Sequence, residues 1–317
     1  PLPWLTVKFQ VSRNLIFTDK LHATITDDYY REDLFSIGMY QRISRTLPVY
    51  LKKRGYYTIK SIDLVSSDLL LTKKLVDHAI SHSVITVCPR LIPKEDLSIP
   101  YSQMMGEILS RTAVLPDPFE FRGIREYQSF DSMRSINWLA TARTGTLKVN
   151  VYEYTASREV YILLNVEPDG AFYEEELIEE GIRIAASLCE YLVHDRVSCG
   201  LISNARDIIT KETIDMAPGQ SIQHVQQVNE QLGRVDLSQK PALFSEMIEQ
   251  RIFETGQNPI LLMISLNCDE RTCRAWDACL GRGHEGLWIL PRYADRKDRL
   301  PGTRHPLFCW EVKRHAR

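Results

Sequence analysis

Between residues 119 and 149, Arg122, Arg125, Arg134 and Arg143 alternate with Glu120, Glu126 and Asp131, and Tyr127 and Trp138 are interleaved among them. A guanidinium fork pairs bidentately with a carboxylate and stacks on an aromatic face. Such a set serves one of two ends. It can be a paired, partly buried salt-bridge network joining two domains, or a recognition surface for an anion or a protein. The first use predicts a buried Trp138, whose replacement by alanine would cost ~3 kcal/mol or more.

Other chemistry-bearing patterns have plainer readings. Gly281-Arg-Gly-His-Glu-Gly286 has the glycine spacing of a dinucleotide loop. That loop needs a strand before it and a helix after it, and here the order is reversed, so a helix-to-strand turn is expected. His78 and His82 would share a helical face, but Ala79 stands where a zinc hydrolase needs glutamate. Cys268, Cys273, Cys279 and His284 lack the tight C-x2-C knuckle of structural zinc sites. They read as thiols covering a sheet. Glu174–Glu180 is an acidic helix start that complements the helix dipole. The segment 292–317 carries eight Lys/Arg against three Asp/Glu and reads as a solvated basic tail. Neither a P-loop nor a G-x-S-x-G elbow is present.

The 317 residues carry 39 Lys+Arg against 41 Asp+Glu, so no global basic field exists to hold nucleic acid. No apolar run reaches the ~18 residues of a membrane span; the longest is 260–266. Seven cysteines is an odd count for a disulfide framework, and reduced, mostly buried thiols inside a cell are expected. The chain opens on Pro1-Leu2-Pro3-Trp4 with neither a signal peptide nor an initiator methionine. The expectation is a piece of a longer chain.

Three segments must position these groups. Residues 1–92 hold short β-branched and aromatic runs, among them 5–11, 34–40 and 56–64, and predict a β-sandwich. Residues 93–158 form a proline-interrupted connecting segment that carries the Arg/Asp/Trp set. Residues 159–317 alternate buried strands (160–166, 197–203, 260–266) with helical periodicity at 174–193, 222–232, 242–253 and 270–279. That rhythm predicts an α/β domain on a mostly parallel sheet.

The central segment also resembles the family known as domain of unknown function 58. The family pattern R-G-x-R-x-Y, D-x-x-R-x-I-x-W, A-R-T-G-x-L-x-V is met by Arg122, Gly123, Arg125, Tyr127, Asp131, Arg134, Ile136, Trp138, Ala142, Arg143, Thr144, Gly145, Leu147 and Val149. Upstream, Arg54-Gly55-Tyr56-Tyr57 and residues 63–69 are similar to its β segment. Downstream, the α/β half resembles a von Willebrand factor A domain (Rossmann-like). The resemblance implies an α+β multidomain chain, a β-sandwich followed by the A-like domain.

Metal-binding A domains place D-x-S-x-S after their first strand, and hard oxygen ligands there hold a divalent cation. The corresponding loops here read Asn165-Val-Glu167-Pro-Asp169, Pro218-Gly-Gln-Ser221 and Ser265-Leu-Asn267-Cys-Asp269. Either Glu167 and Asp169 bind Mg²⁺, or Asn165, Glu167, Asp169, Ser221, Ser265 and Asn267 form a metal-free partner-binding face. The resemblance further implies a non-enzymatic adaptor or scaffold, membrane-anchored with its soluble part cytoplasmic, working with a MoxR-type AAA+ ATPase. The alternatives are a cell-envelope hydrolase and a divalent-cation-dependent adhesion module.

Overall fold

A computed structural model describes residues 2–12, 14–19, 23–25, 28–59, 61–68, 72–81, 83–98, 100–102, 105–106, 121–128, 133, 136–152, 159–170, 173–254, 259–295, 300–303 and 305–314. The fold is mixed α+β with several sheets. Contacts group the chain into two units. One is Pro1–Leu91 with Ala205–Glu212 and Gln226–Lys240; the other is Ile92–Asn204 with Thr213–Val225 and Pro241–Arg317. No described helix is long and apolar enough to cross a membrane.

Alternation builds the first unit's sheet. Along β1 (Leu2–Val11), Leu5, Val7, Phe9 and Val11 share one face while Thr6, Lys8 and Gln10 share the other. β1 pairs antiparallel with β4 (Tyr29–Ile37) and β7 (Ser61–Ser67). β3 (Ala23–Ile25) and β8 (Lys74–Ile80) close the order β3-β4-β1-β7-β8. Two further pairs, β2 (Leu15–Phe17) with β5 (Val49–Leu51) and β6 (Gly55–Thr58) with β9 (Val84–Val87), are also antiparallel. Leu15, Phe17, Leu51 and Ile85 from these pairs pack with Val11 and Tyr29.

β4 departs from the expected strand at 34–40. Its inward positions include Arg31 and Asp33, both buried, and two charges on the apolar face hide the alternation. They are tolerated because each is paired. Arg31 Nε donates to Asp33 at 2.9 Å, and its Nη1 donates to the Asp19 carbonyl at 2.8 Å. The expected run at 56–64 is divided between β6 and β7. His78 lies on strand β8, beside Asp63 at 2.8 Å, not on a helix. His82 lies outside the described residues.

The second unit's sheet collects β12 (Glu159–Leu164), β13 (Ser198–Arg206), β14 (Thr213–Gly219), β15 (Ile260–Ile264), β16 (Glu285–Tyr293) and β17 (Leu307–Val312) in the order β14-β13-β12-β15-β16-β17. Every pairing from β13 across to β17 is parallel. β12 and β15 are near-continuous apolar runs because both faces are covered. Helix Glu175–His194 buries Ile178, Ile182, Ala185, Cys189 and Leu192. Its acidic start is only partly solvated, since Glu176 accepts from the Tyr293 hydroxyl at 3.1 Å and Glu180 from Trp310 Nε1 at 3.1 Å. The basic tail is likewise not a loose end. β17 extends the sheet, and the Arg314 guanidinium sits 4.5 Å from the Tyr293 ring centre.

The seven cysteines are free thiols, and Cys88 is exposed against the expectation of burial. The turn 281–284 joins helix Glu270–Leu280 to β16, the helix-then-strand order read from the sequence. Gly286 has a packing reason. A Cβ there would lie 2.6 Å from the Trp276 ring and 2.7 Å from the Leu261 carbonyl oxygen. Gly286→Ala is therefore expected to destabilise the protein by about 1–3 kcal/mol through overpacking, read as a lower denaturation midpoint at unchanged slope.

Candidate functional site

Strand order decides where a site can form. The chain leaves β12 toward β13 on one side and later returns to β15 on the other. In a parallel sheet, the crevice beyond the carboxyl ends of two such strands is where ligands settle. Asn165 follows β12 there and Ser265 follows β15.

The Asn165 side chain is buried and fully committed. Its Nδ2 donates to Ser265 Oγ at 3.0 Å. Its Oδ1 accepts from the Glu167 amide at 2.9 Å and from Asn204 Nδ2 at 2.9 Å. Asn204, on β13, also accepts from the Val166 amide and donates to the Ala242 carbonyl. Ser265 Oγ accepts from the Asn267 amide at 3.1 Å and donates to the Asn267 carbonyl at 3.2 Å. One polar web thus ties the ends of β12, β13 and β15.

Two helix starts face this web, and each is met by an acid. Helix α4 spans Phe244–Glu254, counting α1 as Trp138–Thr144, α2 as Glu175–His194 and α3 as Ile222–Gly233. Its first amide donates to Glu167 Oε1 at 3.3 Å. Helix α5, Glu270–Leu280, is capped by Asp269, which accepts from the Thr272 amide at 2.7 Å. Carboxylates at these positions complement the positive helix ends. Asp169 is exposed and accepts from the Cys268 amide at 3.4 Å. Burial pushes the Glu167 carboxyl above its ordinary pKa, and the charge of Asp269 pushes the same way. Hydrogen bonds from the Phe244 amide and the Asn165 and Asn267 side chains oppose that rise.

These donors fit a hard cation poorly. An asparagine with both amide atoms engaged stands where the leading aspartate would be, and two of the carboxylates cap helices. Among the described residues no three His, Cys, Asp or Glu side chains gather as a metal site.

Ser221 does not join the group. Its Oγ caps His224 at 3.0 Å, and His224 Nε2 lies 2.6 Å from the Cys199 carbonyl near the amino end of β13. Gln220 bonds the Arg196 carbonyl beside it. Strand β14 returns along β13, so Ser221 sits at the opposite end of the sheet. Its place is taken by the 242–244 segment. Asn204 and that segment went unseen in the sequence. Asn204 sits inside an apolar strand with no motif around it, and Phe244 meets Glu167 across 77 residues of chain. Asp269 had a legible signal as an N-cap before a helical period.

The Arg/Asp/Trp set has a different structure from the one expected. β10 (Phe121–Glu126) pairs antiparallel with β11 (Lys148–Tyr152), and α1 lies between them in sequence. Asn137 caps α1 by accepting from the Ala140 amide at 2.9 Å. Gly145 ends it at φ 70°, where its amide reaches the Thr141 carbonyl. Tyr127 donates its amide to the Leu147 carbonyl at 2.9 Å. Arg125 is exposed and bonds the Glu126 carbonyl; Arg143 is exposed in the last turn of α1. Trp138 is 65% exposed, which removes the buried ring the salt-bridge reading required. Arg122 is described only as backbone in β10, and Asp131 and Arg134 lie outside the described residues.

A helix held by Asn137 and Gly145, followed by β11 and β12, is the stretch that carried the sequence resemblance. Residues 123–250 match the family described as Protein of unknown function DUF58. The match supports the DUF58 family over less than half of the chain. It takes in the stretch from Gly123 in β10 into α4, and with it Asn165, Glu167, Asp169 and Asn204. The Ser265-to-Asp269 side of the crevice lies beyond the DUF58 match. No curated protein matches the chain.

Asn165→Ala would leave the Glu167 amide without its Oδ1 acceptor, and would remove one of the bonds of Asn204 Nδ2 and of Ser265 Oγ. It is expected to cost about 2–4 kcal/mol in chemical denaturation. A second prediction concerns pH. The native state holds the Glu167 proton to higher pH than the unfolded chain does, so this group's stabilisation is present below the ordinary glutamate pKa. It is lost as pH rises through the raised value. The stability of Glu167→Gln relative to wild type should therefore grow between pH ~4 and pH ~7. A flat difference in melting temperature across that range would contradict the assignment.

Proposed function

We propose that the chain is a non-enzymatic adaptor, built as a β-sandwich followed by a von Willebrand factor A-like domain. In this reading it is held at the membrane with its soluble part in the cytoplasm and works with a MoxR-type AAA+ ATPase. The observation that carries the reading is the strand order β14-β13-β12-β15-β16-β17, with its crevice at the ends of β12 and β15. The same strand order and crevice serve doubly wound folds as a recognition face.

The chemistry of that crevice favours recognition over catalysis. Ser265 Oγ bonds Asn165 and the Asn267 backbone, neither of which is a base. What the crevice offers a partner is carboxylate: exposed Asp169 beside half-buried Glu167. A cationic partner surface complements it. The exposed Trp138 and Leu139 on α1 supply a second contact of the aromatic-and-aliphatic type that anchors interfaces.

The test uses the chain as bait in a lysate of its own source cell, with ATP, with and without EDTA. Recovery of a MoxR-type AAA+ ATPase that survives EDTA and is lost in Asp169→Arg is expected. Trp138→Ala should weaken recovery while moving the folding free energy by no more than about 0.5 kcal/mol. Recovery that needs Mg²⁺ would favour the cation-dependent alternative, and recovery of no ATPase overturns the adaptor reading.

A further inference from the structure

A pocket of about 550 Å³, open to solvent, lies against the inner face of the first unit's five-stranded sheet. That volume falls within the ~300–1,000 Å³ of small-molecule sites. It is far larger than the water-sized voids of a packed interior. Among the described residues, sixteen line it; fourteen of these are apolar, and the other two are Asp33 and Arg45. Leu5, Val7, Phe9, Phe35 and Ile37 all belong to the sheet's inner face, yet each is only half-buried. Among the described residues, packing buries the Val11, Leu15, Phe17 and Tyr29 end of that face and leaves the rest half-buried.

The two polar lining groups are unequally satisfied. Asp33 spends one oxygen on the fully buried Arg31 at 2.9 Å and the other on Arg45 Nη1 at 3.0 Å. Arg31 also holds Asp19. The second contact of Arg45, to Asp19, is 3.8 Å, too long for a hydrogen bond. Its side chain is 41% exposed, next to Ile43 and Val49 where the cavity meets solvent. A planar guanidinium in that position is matched by a carboxylate, which it can take bidentately. Among the described residues the lining carries no hydroxyl, amide or imidazole group, and such a lining suits an aliphatic body.

We propose that this cavity binds a single-chain carboxylic amphiphile, a fatty acid in chemical class. The aliphatic chain lies along Val7, Phe9, Phe35 and Ile37, and the carboxylate rests on the outward edge of Arg45.

The experiment uses the full chain, stripped of lipid, titrated with the fluorescent fatty acid cis-parinaric acid. Oleate and oleyl alcohol, both below their aggregation thresholds, serve as competitors. Saturable binding at one site per chain is expected, with oleate displacing the probe more strongly than the alcohol. Arg45→Gln should weaken oleate by about tenfold, the worth of a charge-assisted bond, and leave the alcohol unchanged. Val7→Trp, which fills the cavity, should abolish both. If Val7→Trp fails to fold by circular dichroism, Val49→Trp at the mouth replaces it with the same expectation. Absence of saturable binding overturns the proposal, as does binding that no variant alters. A dimer by light scattering that excludes the probe would mean a second copy occupies the cavity, and also overturns it.

Discussion

One carboxamide sets the geometry of the parallel sheet's upper end. The Asn165 side chain reaches three strand ends at once through Ser265, Asn204 and the backbone of its own loop. Amide groups suit this task because they donate and accept from adjacent atoms. An aspartate could accept from Asn204 and the Glu167 amide, but Ser265 would have to turn its hydroxyl from the Asn267 carbonyl to donate to it. The residue that stands in place of the leading aspartate of a cation-binding loop is the one that ties this loop to its neighbours. Satisfied buried networks of this kind are worth more than isolated bonds because the surrounding dielectric is low.

Around that fixed centre, charge is distributed by helix ends. Glu167 meets the start of α4 and Asp269 caps α5, so two carboxylates are tied to partial positive charge within the fold. Asp169 remains outward. The result is a crevice whose floor is neutral and hydrogen-bonded and whose rim is acidic.

The elements that could be read in advance were those whose residues agree with their surroundings. The apolar runs 160–166 and 260–266 became β12 and β15 with the segments that follow them, and the period of Ile178, Ile182, Ala185, Cys189 and Leu192 became α2. Reading failed where long-range pairing overrides local pattern. Arg31 and Asp33 face inward only because Asp19 and Arg45 meet them there. Ser221 seemed to belong with Asn165 because sequence spacing does not say that β14 runs back toward the sheet's other end. Trp138 sits in a stretch that looks like a buried weld, yet the local anchors are Asn137 and Gly145, which hold α1 without the ring. Basic composition suggested a solvated tail, whereas Leu307, Phe308 and Trp310 make β17 a strand.

The first unit is not continuous in sequence: it takes Ala205–Glu212 and Gln226–Lys240 from within the α/β half. A ribosome delivers the chain from its amino end at roughly 5–20 residues per second. Residues 1–91 therefore emerge with their half-covered apolar face well before Lys240 exists, and their unit cannot be completed until most of the second has been made. Folding of the first unit is coupled to the order of translation, because two of the segments that group with it are made only after residue 204. Genetic exchange is constrained in the same way, because no single crossover can carry the first unit away whole and leave the second intact.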